Sequence, residues 1–199
     1  MTDQIPLDLA PEPNYTFDNF YIGRSNQDAF MALQAFPNWP SPIFLLTGPF
    51  GAGKSHLGTA WSRSIQGAIF LDNADQLAEE DLFTALNKAL NGEIPGLLLG
   101  AETPASRWDI ALPDLRSRLV NVPILQLSEP NEDILEPIIR KLFEDKGRAV
   151  KADLVAYIYT HFERSVPAVS RLVHNIDLSA RQAKRDVTRA FVSDYIRNI

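Results

Sequence analysis

The residues with the clearest chemistry are Gly48-Pro49-Phe50-Gly51-Ala52-Gly53-Lys54-Ser55, a glycine followed after four positions by Gly-Lys-Ser. That spacing is a phosphate-binding pattern: glycines let the backbone curl so that successive N–H groups and a helix N-terminus face an anionic phosphate. In such a loop Lys54 reaches the terminal phosphates and the Ser55 hydroxyl ligates magnesium. A second candidate is Asp72, which closes the apolar run 68–71 and suits an acid that holds magnesium beside the loop. The next residue is Asn73, whose amide cannot serve as a general base, so fast intrinsic hydrolysis is not expected.

Positioning these groups takes a strand before the loop and a helix after it. Residues 43–47 form a short apolar run that fits a buried parallel strand, and the chain from His56 onward continues as a helix. Further apolar runs at 68–71, 96–99 and 122–127 read as strands, with a helix over 77–92 and a loop with a short helix over 104–119. Strands alternating with helices predict an α/β fold built on a parallel sheet. Ahead of the loop, residues 15–26 form an aromatic stretch placed to wrap an adenine base, with Tyr21, Ile22 and Asn26 as candidates and His56 just past the loop.

From residue 131 the pattern is purely helical. Ile134, Leu135, Ile138, Ile139, Leu142 and Phe143 repeat at helical spacing, with Pro137 expected to bend the helix. Helices over 151–162, 165–184 (Ser165 as N-cap) and 188–199 follow. The division read from this is a tail at 1–13, an α/β nucleotide-binding domain at 14–128 and a small helical lid at 129–199, with nucleotide held between the last two.

Composition narrows the function classes. At 199 residues and 45% hydrophobic the chain can bury one core and a satellite. It has no cysteine, which excludes disulfides and thiolate metal sites and suits a reducing cytoplasm. No apolar run approaches the roughly 20 residues that span a membrane. The net charge is −6, divided as −8 up to residue 129 and +2 beyond it, which argues against tight sequence-independent DNA contact. Arg181, Lys184, Arg185 and Arg189 read as a solvated helix face, and His56, His161 and His174 have no partners at metal-ligand spacing. In the tail, Gln4-Ile5-Pro6-Leu7-Asp8-Leu9 sets a glutamine ahead of spaced aliphatics, a form that docks in a partner's apolar groove.

Residues 15–26, the loop GPFGAGKSHL, the acid strand LDNAD and the segment LPDLRSRL resemble, in that order, the AAA+ module of the DnaA/Hda family of bacterial replication proteins. The resemblance covers nearly the whole chain and leaves no room for the helix-turn-helix DNA-binding domain of the initiator. It therefore points to the short members that inactivate DnaA. It implies an AAA+ P-loop parallel sheet with a helical lid, ADP or ATP with Mg2+, DnaA and the polymerase sliding clamp as partners, DNA contacted only through them, and possible self-association. Gln4, Ile5, Leu7 and Leu9 would bind the clamp, and Arg118 would be an arginine finger acting in trans on DnaA-bound ATP, with Arg116 as its neighbour and rival. The alternative is a self-contained P-loop ATPase, such as a helicase loader.

Three departures from the family pattern carry expectations of their own. Only 18 positions separate Lys54 from Asp72, which predicts four strands rather than five and leaves the Asp72 strand near an edge. The polar residue at the end of the third strand falls on Ala101. The lid arginine falls on Pro167, with Arg164 and Arg171 a turn away on either side as candidates to replace it.

Overall fold

The computed structural model describes residues 15–198; Gln4, Ile5, Leu7 and Leu9 lie outside the described residues. Among these, α1 (Gln27–Gln34) leads into β1 (Ile43–Thr47), followed by α2 (Lys54–Ser64), β2 (Ile69–Leu71), α3 (Glu79–Leu90), β3 (Leu97–Ala101), α4 (Pro113–Val120) and β4 (Ile124–Gln126). The strands form one four-stranded sheet in the order β2-β3-β1-β4, parallel at every pairing. The expected loss of a strand is thus observed, and β2, which precedes Asp72, is an edge strand.

Central strands β1 and β3 are buried at every position because both faces are covered. Alternate side chains of β1 serve opposite layers. Ile43 and Leu45 join Leu82, Leu86, Leu97, Leu99 and Leu115 under α3 and α4, while Phe44 and Leu46 pack with Leu33, Leu57, Trp61 and Leu98 under α1 and α2. The α3 stripe is Leu82, Ala85, Leu86 and Ala89. Leu77 precedes the helix and Leu90 sits on its outer side, and both are exposed.

Four helices complete the chain: α5 (Glu132–Glu144), α6 (Ala152–His161), α7 (Val166–Ala183) and α8 (Arg189–Arg197). They share a core of Leu135, Ile139, Phe143, Val155, Ile158, Leu172, Ile176 and Val192. Ser165 caps α7 as expected, its Oγ accepting from the Ala168 N–H at 3.3 Å, and Thr188 caps α8 in the same way. Pro137 lies inside α5 at an exposed position. No described helix is long and apolar enough to cross a membrane.

Candidate nucleotide-binding site

The loop between β1 and α2 turns on two glycines with positive φ, +75° at Gly51 and +100° at Gly53, a region where a side chain is strained. The turn delivers Lys54 to the first position of α2, where it is 92% buried and its Nζ donates to the carbonyls of Gly48 at 2.7 Å and Pro49 at 3.0 Å. Burial pulls the Lys54 pKa below its ordinary value, opposed by the carboxylates of Glu102, Asp72 and Asp75. Ser55 Oγ donates to Asp72 Oδ2 at 2.5 Å, joining the start of α2 to the end of β2. Asp72 Oδ1 accepts from the Asn73 N–H at 3.0 Å.

These groups open onto a cavity of about 410 Å³, within the few-hundred-Å³ range of small-molecule sites. Gly51, Ala52, Gly53, Lys54, Ser55 and Asp72 line its phosphate end, with Phe50 at the rim, 62% exposed. Tyr15, Asn19, Phe20, Tyr21, Asn26 and His56 line another wall. Asn26 is 4% exposed and pins that wall: its Oδ1 accepts from the Gly23 N–H at 2.9 Å and its Nδ2 donates to the Tyr21 carbonyl at 2.8 Å. His56 Nε2 donates to the Thr16 carbonyl at 2.9 Å, and its ring lies 5.0 Å from Tyr15 and 5.2 Å from Phe20. Burial lowers the His56 pKa more than that bond raises it, so the ring is neutral near pH 7. The helical region closes the cavity with Ile134, Ile138, Leu142, Val166, Pro167 and Ser170.

Several expected site residues lie elsewhere. Ile22 is 48% exposed and does not line the cavity. Gly48 and Pro49 do not line the cavity; their carbonyls accept from Lys54. Ala101 is fully buried in the sheet, and the polar group that reaches the cavity is the following residue, Glu102. Neither Arg164 nor Arg171 takes over from the lid arginine. Arg164 precedes the cap of α7 and lies over the Tyr159 ring at 4.8 Å, whereas Arg171 lines a separate hollow with Phe162 and Tyr195. Pro167 itself lines the cavity and packs on the phosphate loop, where a Cβ on Gly51 would fall 2.5 Å from Ser165 Cβ and 3.1 Å from Pro167 Cδ.

Sequence reasoning placed the helical region against the cavity but missed Glu102, Asn19 and the residues that line the helical wall. The wall carried a signal: Ile134, Ile138 and Leu142 are spaced four apart and face the cavity, while Leu135, Ile139 and Phe143 form a second stripe into the helical core.

Arg118 is not among the cavity-lining residues. It sits on α4 with its side chain 36% exposed, paired with Asp114 (NH2 to Oδ2 at 2.9 Å), donating to Asn87 Oδ1 at 2.8 Å and lying over the Phe83 ring at 5.2 Å. Its neighbour Arg116 is exposed and donates to the Ile110 carbonyl, from Nε at 3.0 Å.

Magnesium is the metal such a loop implies. The donor set fits: two hard oxygens, Ser55 Oγ and Asp72 Oδ2, converge, and magnesium takes few protein ligands and completes its shell with water and phosphate. Among the described residues no cluster of three or more His, Asp or Glu could hold a metal.

The sheet order, the phosphate loop and the helical cover define an AAA+ P-loop protein. Residues 11–90 match the family model of the bacterial DnaA ATPase domain. An uncharacterised protein of Haemophilus influenzae is 23% identical over 96% of this chain and 97% of its own length. The chromosomal replication initiator protein DnaA of Nautilia profundicola is 22% identical over 85% of this chain but 49% of its own length, so the chain spans about half of that relative. The crystal structure of domain III of Thermotoga maritima DnaA superposes with a TM-score of 0.75 at 14% identity, covering 90% of this chain and 94% of that one. Within that class, residues 11–90 are thus similar in sequence to the DnaA ATPase domain, and the described fold is similar to that of DnaA domain III.

Proposed function

We propose that the chain is a regulator of replication initiation of the Hda type, which holds ADP or ATP with Mg2+ and, together with the DNA-loaded sliding clamp in the cytoplasm, promotes hydrolysis of ATP bound to DnaA. The observation that carries this reading is the location of Arg118: outside the chain's own nucleotide cavity, part-exposed, on the surface helix of the LPDL-x-SRL segment. A guanidinium there is of no use to the nucleotide in the same chain, but it can neutralise charge on the γ-phosphate of a neighbour. An arginine supplied in trans is worth about 10³ to 10⁵ in rate in GTPases. Freeing it from Asp114 costs little, since that pair is exposed and such pairs contribute about 0–1 kcal/mol; its bond to Asn87 must be given up as well.

The free-standing ATPase finds less support. Asn73 lines the cavity beside Asp72 at the point where a catalytic base would act, and its amide takes no proton. No arginine of the lid lines the phosphate end. Both features suit a protein that holds its nucleotide as a structural ligand, and Gln4 to Leu9 supplies the clamp tether.

The test is single-turnover hydrolysis of ATP preloaded on DnaA, with DNA-loaded clamp, comparing the native protein with Arg118→Ala. The native protein should accelerate hydrolysis, and Arg118→Ala should lose on the order of 10³ of that acceleration while still binding the clamp and its own nucleotide. Equal rates with and without native protein would overturn the reading, and robust clamp-independent turnover by the isolated chain would favour the ATPase.

A further inference from the structure

Helix α4 begins badly on its own terms. Its N-cap is Leu112, which has no side-chain oxygen to accept from the helix's free N–H groups, and its first residue is Pro113. Another helix instead holds the two residues that lead into it. Glu79, the first residue of α3, accepts the Ala111 N–H on Oε1 at 2.7 Å and the Leu112 N–H on Oε2 at 2.9 Å. These two bonds hold the Glu79 carboxyl below its usual range despite some desolvation, with Arg116 adding to the effect. Arg116 grips the same segment from its other side through the Ile110 carbonyl. One turn into α4, Arg118 reaches back to Asn87 and Phe83 on α3. The two helices are thus fastened at both ends of the segment that carries the arginine.

We propose that Glu79 is a positioning residue for Arg118: by holding the Ala111 and Leu112 N–H groups from α3 it sets the height and direction at which α4 presents that arginine to a partner's nucleotide. This rests on the reading of Arg118 as acting in trans. The bonds use both carboxylate oxygens on successive N–H groups, so they fix the entry of α4 in rotation as well as in distance. Arg116 takes part in this clasp through the Ile110 carbonyl. Because Glu79 touches neither nucleotide, its removal leaves binding alone and lowers the rate of the bound complex.

The experiment has two arms. In the first, Glu79→Ala and Glu79→Gln are compared with native protein for hydrolysis of ATP on DnaA with loaded clamp. Misplacement by about an ångström costs up to about 100-fold, so Glu79→Ala should lower the maximal rate about 10- to 100-fold with half-saturating DnaA unchanged, and Glu79→Gln, which keeps one acceptor, should fall between. In an Arg118→Ala background Glu79→Ala should cost nothing more, since it acts through that residue. A further loss there, or an unchanged maximal rate in the single variants, overturns the proposal. The second arm needs no partner. Amide exchange at Ala111 and Leu112 should be slow in native protein and fast in Glu79→Ala; unchanged protection overturns the clasp itself. If Arg118→Ala alone has no effect while the amides open as expected, it is the trans-acting reading that fails, and Glu79 is then a structural cap only.

Discussion

Asp177 shows how far a single residue can depart from its sequence pattern. Arg181 lies on the solvated basic face expected of it with Lys184 and Arg185, and from there it bonds Asp177 at 2.8 Å while Arg148 reaches the other oxygen at 2.6 Å. Burial pushes the Asp177 carboxyl up, but the bonds and charges of the two arginines outweigh it and hold the group below the ordinary carboxylate range. A carboxyl depressed in the folded state stabilises it above the unfolded value, near pH 4, and that contribution is lost as pH falls through the folded value. The helices around Asp177 should therefore loosen in acid before the sheet does. Asp177→Asn should remove that acid step and cost about 3 kcal/mol, read by circular dichroism melts from pH 3 to 7. At this scale the phosphate loop was legible because its spacing is local: Lys54, Ser55 and Asp72 converge as expected. Glu102 was not, because one residue at a strand end decides whether a side chain enters the sheet or the cavity, and only the register Thr47↔Ala101 reveals which.

Helix α2 illustrates the element scale. Gly58 sits in its interior, where glycine ordinarily costs about 1 kcal/mol relative to alanine. Here an added Cβ would fall inside the Phe70 ring, which fills the space between Gly58 of α2 and Gly100 of β3. Overpacking of that kind costs about 1–3 kcal/mol, so Gly58→Ala should destabilise where helix propensity alone predicts a gain. Phe70 stands two residues before Asp72, so nucleotide affinity should fall as well, measurable by calorimetric titration with Mg-ADP. The strands and helices were legible at this scale because apolar period distinguishes them: β1 is observed over the expected residues, and α6, α7 and α8 within a residue or two. The division of α5 into two apolar stripes was hidden, since periodicity counts apolar residues without saying which partner each will meet.

At the scale of the whole molecule, the cavity draws its walls from the phosphate loop, the aromatic stretch and the terminal helices together. A ligand there belongs to both cores at once and should stabilise them as one. At 100 times its dissociation constant, nucleotide adds about 2.7 kcal/mol to the unfolding free energy. For a chain of this size that should raise Tm by about 5–10 °C, in a single transition by both tryptophan fluorescence and far-ultraviolet circular dichroism. Lys54→Ala should keep the fold and lose the shift.

The sheet order has one more consequence. Both borders are strands of three residues, β2 and β4, and with Ile69 and Leu71 paired to β3 only Phe70 turns its backbone groups outward on the first, while Ile124 and Gln126 do so on the second. Borders that short are poor templates for a foreign strand, which limits edge-to-edge aggregation. A protein so bounded meets its neighbours through helices and loops. On borders this short a foreign strand would find too few free backbone groups to build a lasting ladder.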